Sequence, residues 1–392
     1  MKRRRSLLND RFRGALSFAL ALLTLVCLCS CTKDTPEADV VTVTTREPEK
    51  TGEPSSTPPE TQAPTEQSSQ EPTSAPTELP GQIPPITSVS GRYQTYDGTN
   101  VMRVDDRAYE ICVYLEEEPK LYAELISETA AALKGTTNVY DLIIPTAYGV
   151  MMPDDMREKI SYYIDLGECI EKTYSHMTGD VRTISCYDLL MRHRDEYIYF
   201  RTDHHWTALG AYYAYAAFCG AKGIEPIGPE ARESVTFDNF LGTLYRDAGE
   251  DPALLPADEI IAYYPVSAEA SMLITSSEGG RYTQPIITDV TKYSPVNKYA
   301  TFAGGDNPIT EFTNPNVTDG SVLIIIKESF GNALLPFLVD HYSKIYEIDY
   351  RYWKGNVVEL AKEVHAADLL FANNFMMISS KSNIGKLSRV VK

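Results

Sequence analysis

The chain has 392 residues, with 54 Asp and Glu against 36 Lys and Arg, for a formal net charge of -18 at neutral pH. An acidic surface of this kind repels phosphate, which excludes nucleic acid and anionic lipid headgroups as electrostatic partners. The seven cysteines lack a Cys-x-x-Cys spacing and the six histidines are scattered, so a zinc ribbon is excluded and no metal or other cofactor is expected.

Met1-Lys2-Arg3-Arg4-Arg5 opens a basic leader, and an apolar run from Gly14 to Val26 ends in Cys27-Leu28-Cys29-Ser30-Cys31. This reads as an export signal whose apolar core falls short of the ~20 residues a spanning helix needs. Leu28-Cys29-Ser30-Cys31 resembles a bacterial lipobox, so Cys31 is the expected lipidation site. Residues 1–31 are then a lipoprotein signal peptide, and the rest is extracytoplasmic, held to the cell membrane by a lipid anchor. Residues 32–88 are rich in Pro, Thr, Ser and Glu with almost no large apolar side chain. They cannot bury a core and are expected to form a disordered tether.

Residues 89–392 suffice for one large α/β domain with insertions. Asp-Gly and Asp-Asp turn signals between residues 91 and 111 predict an entry hairpin. Helical spacing over 121–133 is followed by a buried strand over 138–145, which begins an α/β pattern. Thr146 and Tyr148 come at that strand's carboxyl end, where open α/β sheets bind ligands, and are candidates to line a site. A helix over 160–174, a strand over 180–185 and a short helix over 187–192 lead to the stretch Tyr199-Phe200-Arg201-Thr202-Asp203-His204-His205-Trp206-Thr207. If that stretch is extended, Asp203 and His205 leave on one face, where the carboxylate can orient the imidazole, and His204 leaves on the other. Thr207 is the expected cap of a helix over 208–218 that ends at Cys219-Gly220.

The aromatic segment over 237–246 is a candidate lid. Gly304-Gly305-Asp306-Asn307 offers close backbone approach and an amide donor, so either Gly305 or Asn307 is a candidate to hold an oxyanion. A β-branched run over 321–327 predicts a central buried strand. Ser329 falls on the turn into the next helix, where its own N–H and the helix start favour an oxyanion. Strands follow over 342–349 and 368–375. At the end of the first, Arg351 is placed to bind an acidic or acylated sugar, and Tyr352 and Trp353 to stack on its ring. Cys112, Cys169, Cys186 and Cys219 are expected as free, buried thiols.

Asp203-His204-His205-Trp206 and the Lys327-Glu328-Ser329 turn together resemble the DHHW family. That family is a branch of the SGNH-hydrolase-like proteins that includes the alginate O-acetyltransferases. The resemblance implies an SGNH-like three-layer α/β sandwich with a mainly parallel sheet, topologically permuted because the Asp-x-His precedes the serine. It also implies a triad of Ser329, His205 and Asp203, with Glu328 standing where an aspartate is common. The implied activity is a serine O-acetyltransferase or esterase acting on an exported polysaccharide or wall glycan, fed by a membrane acyl-transfer protein. Two other readings remain. A metal-dependent phosphoesterase would need further clustered acids and histidines that the sequence lacks. A non-catalytic carbohydrate-binding surface lipoprotein would need only the tether and the aromatics.

Overall fold

The computed structural model describes residues 81–392. The leader, Cys31 and the tether up to residue 80 lie outside the described residues. Near the start of the described residues the backbone N–H groups of Ile86 and Ser88 donate to the carboxylates of Asp154 and Asp155 at 3.1 and 2.9 Å. Those acids are adjacent in the first turn of the helix Asp154–Lys159, so they present two acceptors side by side to the entering chain.

The entry region is a small antiparallel sheet of β1 (Tyr93–Thr95), β2 (Val101–Val104) and β3 (Arg107–Glu110). The helix Glu117–Ala132 then packs its buried face, including Tyr122, Leu125 and Ile126, beside β4 (Asn138–Ile144). The expected helix over 160–174 starts later, at Leu166, and a separate short helix, Asp154–Lys159, precedes it. Asp165 caps a new helix, Leu166–Tyr174, by accepting from Glu168 N at 3.1 Å, and so restarts the chain after Ile160. β5 (Val181–Ile184) and the helix Tyr187–Arg192 lie as expected. The central helix, Ala208–Lys222, is capped by Thr207, whose hydroxyl accepts from Gly210 N at 3.3 Å. It runs one turn past the expected end, to Gly223 at φ 77°. Gly210 is required where it stands: a Cβ there would lie 2.3 Å from the carbonyl oxygen of Ile198.

β6 (Ser234–Phe240) and β7 (Asp258–Tyr263) pair with each other alone. The remaining strands are β8 (Ser271–Thr275), β9 (Arg281–Gln284), β10 (Ile309–Thr313), β11 (Val322–Lys327), β12 (Lys344–Asp349) and β13 (Asp368–Asn374). They join β4 and β5 in one eight-stranded sheet of order β5-β4-β13-β11-β12-β10-β8-β9. The first five in that order run parallel, and β10, β8 and β9 add antiparallel pairings. The protein is therefore a mixed α/β structure built on a large, mostly parallel sheet. Leu323, Ile324, Ile325 and Ile326 are all fully buried, which explains the unbroken apolar run: β11 is covered on both faces and has no solvent side to alternate with. Among the described residues no helix is long and apolar enough to cross a membrane.

Candidate active site

The site lies where β11 ends. Ser329 follows the strand by two residues and starts a 3-10 helix, Ser329–Leu334, rather than the expected α-helix. Pro336, which has no N–H to return to the carbonyl of Asn332, stands in the first turn of the short helix that follows, Leu335–Leu338. The turn is tight: a Cβ at Gly331 would lie 2.5 Å from Lys327 Cβ. Ser329 remains partly accessible, while Lys327, Glu328 and Phe330 on either side are buried.

Asp203, His205 and Ser329 meet here. His205 Nε2 is 2.7 Å from Ser329 Oγ, and His205 Nδ1 is 2.5 Å from Asp203 Oδ1. The pairing of acid and histidine does not arise from strand parity. Residues 201–205 form a bend closed by a bridge between Tyr199 and Trp206, and Asp203 Oδ1 folds back to accept the backbone N–H of His205 at 3.0 Å. A short polar side chain that bonds the backbone two residues on stabilises this bend better than an extended strand would. Trp206 locks it to the serine turn by donating Nε1–H to the carbonyl of Phe330 at 3.0 Å.

Because the stretch bends, His204 is not on the far face. Its ring lies 3.9 Å from that of His205, and Tyr299 stacks on the other side of His205 at 3.8 Å and 11°. His205 is thus clamped between two rings. Its two nitrogens are bonded to Asp203 and Ser329, and Nδ1 of His204 is 2.6 Å from Thr243 Oγ1. Asp203, His204 and His205 bring possible ligand atoms within 4.8 Å of one another, but this hydrogen-bond network already engages both nitrogens of His205.

The second oxygen of Asp203 is held by the segment expected to be a lid. Thr243 donates its N–H to Asp203 Oδ2 at 2.8 Å and its hydroxyl at 3.2 Å. Gly242 permits the approach, since a Cβ there would sit 2.1 Å from Asp203 Cβ. Burial opposes ionisation of Asp203, but the two histidines and these donors prevail and hold its carboxyl well below the usual range. Burial and the neighbouring His205 lower the pKa of His204. Thr243 and Gly242 were missed from the sequence; Gly-Thr after an aromatic run was their only signal.

Glu328 accepts from Phe330 N at 3.2 Å and from Asn374 N at 3.0 Å, and its Oε2 lies 3.3 Å from Ser329 Oγ. Burial raises its pKa. Several expected site residues are used otherwise. Gly305 N–H already donates to the carbonyl of Phe302 at 3.1 Å, which removes it as an oxyanion donor. The Asn307 amide makes long contacts of 3.4 Å to the carbonyls of Gly304 and Gly305 and so braces its own loop. Arg351 is committed to an ion pair with Asp349 at 2.6 Å and another with Asp306 at 2.7 Å, so it is a structural tie rather than a ligand contact. Thr146 is buried with its hydroxyl 3.2 Å from the Cys112 thiol, and Tyr148 is fully buried against Tyr163; both belong to the core beside β4, away from any ligand surface. Tyr352 is half exposed and Trp353 partly buried at the end of β12. Cys112, Cys169, Cys186 and Cys219 are free, with Cys169 the one that is only partly buried.

No functionally curated protein matches the chain in sequence. Among solved structures, a DHHW family protein from Eubacterium siraeum is similar at 26% identity and a TM-score of 0.68, over 76% of this chain and 98% of that one. Bacillus cereus PatB1, solved with a sulfonyl adduct, is similar at 18% identity and a TM-score of 0.60, over 74% of this chain and 98% of that one. The likeness to PatB1 is one of fold. The DHHW protein family model matches residues 82–348, which contain the whole Asp203-His205-Ser329 constellation. This chain belongs to the DHHW family.

Proposed function

We propose that the chain is a serine O-acetyltransferase or esterase that acts on an exported polysaccharide or wall glycan through an acyl-serine intermediate. The observation that carries this is the unbroken line Asp203 Oδ1, His205 Nδ1, His205 Nε2, Ser329 Oγ, with steps of 2.5 and 2.7 Å across its two hydrogen bonds. His205 accepts the proton of Ser329 as Oγ attacks the carbonyl carbon of an acetyl ester. The developing oxyanion is stabilised by the backbone N–H of Ser329, with the Asn307 amide as the second donor once it leaves its long intraloop contacts. Collapse expels the donor's alcohol or thiol, which takes the proton from His205. A second hydroxyl, deprotonated by the same imidazole, then attacks the acyl-serine. Water there gives an esterase and a sugar hydroxyl gives a transferase. Tyr352, half exposed just after β12 with the Arg351 guanidinium 5.4 Å from its ring centre, supports a sugar-stacking surface. The SGNH-like permuted topology belongs to this reading, supported by a serine at the carboxyl end of a central parallel strand.

The export signal and lipobox extend the proposal to location: an extracytoplasmic protein anchored through Cys31, receiving acyl groups from a membrane acyl-transfer partner. Replacing Cys31 with Ser is expected to move the protein from the membrane fraction to the soluble one in a cell fractionation.

Turnover of an activated acetyl ester tests the chemistry. Ser329→Ala, His205→Ala and Asp203→Asn are each expected to lower kcat by about a thousandfold or more while the circular dichroism spectrum persists. A fluorophosphonate is expected to label Ser329. Undiminished turnover in all three variants would leave the non-catalytic glycan-binding reading in place.

A further inference from the structure

The Asp-His-His-Trp stretch contains one histidine that the mechanism leaves unused. His204 is half-buried, its ring packed on His205, and its Nδ1 is 2.6 Å from Thr243 Oγ1. The same hydroxyl is 3.2 Å from Asp203 Oδ2. An ionised carboxylate only accepts, so a Thr243 proton directed elsewhere would leave two lone-pair oxygens facing each other. The hydroxyl proton therefore goes to Asp203, and His204 must carry its own proton on Nδ1 to donate to Thr243. The result is two runs of donors that converge on one carboxylate: His204 Nδ1–H to Thr243 Oγ1 and Thr243 Oγ1–H to Asp203 Oδ2 on one side, and His205 Nδ1–H to Asp203 Oδ1 on the other.

We propose that His204 is a positioning residue that acts through Thr243 to fix the Asp203 carboxylate, and with it the orientation of His205, for the acyl transfer. This rests on the serine acyltransferase reading above. The geometry makes the assignment specific. Asp203 Oδ1 serves two donors, the backbone N–H and the ring of His205, so its plane is set by what holds Oδ2. The only hydrogen-bond donors to Oδ2 among the described residues are the backbone N–H and hydroxyl of Thr243. The groups facing His204 are Asp203 at 3.9 Å, the His205 ring, Thr243 and the ring of Phe330, with the charges of Glu110 and Glu328 further off. Ring packing alone would restrain His205 without any need for a nitrogen at Nδ1, which gives the test its contrast.

The test is ester turnover by the full chain carrying His204→Phe, Thr243→Val, both together, or Thr243→Ser. His204→Phe keeps an aromatic ring against His205 and loses the donor. Each of the first two is expected to lower kcat about tenfold with KM within about twofold, because orientation and not binding is lost. The double variant is expected to be no worse than either single one, since both cut one chain. Thr243→Ser keeps the hydroxyl and is expected to retain nearly full kcat, which separates the hydroxyl from the packing of the threonine methyl. Wild-type kcat in His204→Phe, or losses that multiply in the double variant, overturns the proposal provided Ser329→Ala is inactive. Persistent turnover in Ser329→Ala overturns the underlying acyl-serine reading instead.

Discussion

Glu328 spends both carboxylate oxygens on backbone donors, Phe330 N in the serine turn and Asn374 N at the end of β13. Removing it orphans two buried N–H groups, each at a cost of roughly 1–3 kcal/mol. Glu328→Ala is therefore expected to lower the midpoint of chemical denaturation markedly and to reduce turnover by loosening the turn that carries Ser329. Gly242→Ala offers the opposite separation. The added methyl would collide with Asp203 and not with the core, so the expected result is a loss of turnover of about a hundredfold with a small change in melting temperature. At this scale the meeting of Asp203, His205 and Ser329 was legible because the proposed acyl transfer requires those residue types. Thr243 was not, because its partner lies 40 positions away and a threonine hydroxyl carries no distinctive pattern. The place of His204 was misread because alternation was assumed where Asp203 makes a bend.

Among the elements, the parallel strands were legible from buried β-branched runs, and the central helix from its cap and its apolar face. β10 was not. Its burial alternates, with Thr310 and Phe312 inward, but a threonine at one inward position and Ile309 outside it hide that alternation in the sequence, and its place between β12 and β8 is fixed by tertiary pairing. β4 carries a charge problem of its own. Asp141 is fully buried, with its Oδ1 bonded to the Tyr122 hydroxyl, and burial pushes its carboxyl up to about 8. Above the unfolded-state value of ~3.9 and below about 8, the folded chain keeps a proton that the unfolded chain has lost. Stability should therefore fall as pH rises through that window, by up to about 1.4 kcal/mol per unit, and level off above it. Asp141→Asn is expected to flatten the slope and to be the more stable protein at pH values near the upper end of the window. Denaturation midpoints measured across the window check this.

At the scale of the molecule, the carboxyl ends of β11 and β12 are tied to the loop before β10 by buried charge. Lys327 is fully buried, 2.6 Å from Glu347, 3.8 Å from Asp306 and 4.0 Å from Asp349, and Arg351 bridges the last two acids. Lys327→Met leaves Glu347 without its cation, while Asp306 and Asp349 keep Arg351, and is expected to cost roughly 3–5 kcal/mol, much of it recovered when Glu347→Leu is added. Thermal melts of the single and double variants distinguish that coupling from simple loss of packing. The network was not legible in the sequence, because its members sit on three separate segments and each alone reads as an ordinary surface charge.

The last strand of the sheet in chain order, β13, occupies an interior position between β4 and β11. A polypeptide emerging amino end first must hold β4 apart from β11, with a gap between them, until residues 368–374 arrive to fill it. The turn that carries Ser329 depends on the same late arrival, since Asn374 supplies one of the two backbone donors that hold Glu328. The proposed ester cleavage should accordingly appear only once residues 368–374 are in place. A ribosome-stalled or truncated product that stops before Asp368 would then be inert, although it contains Asp203, His205 and Ser329.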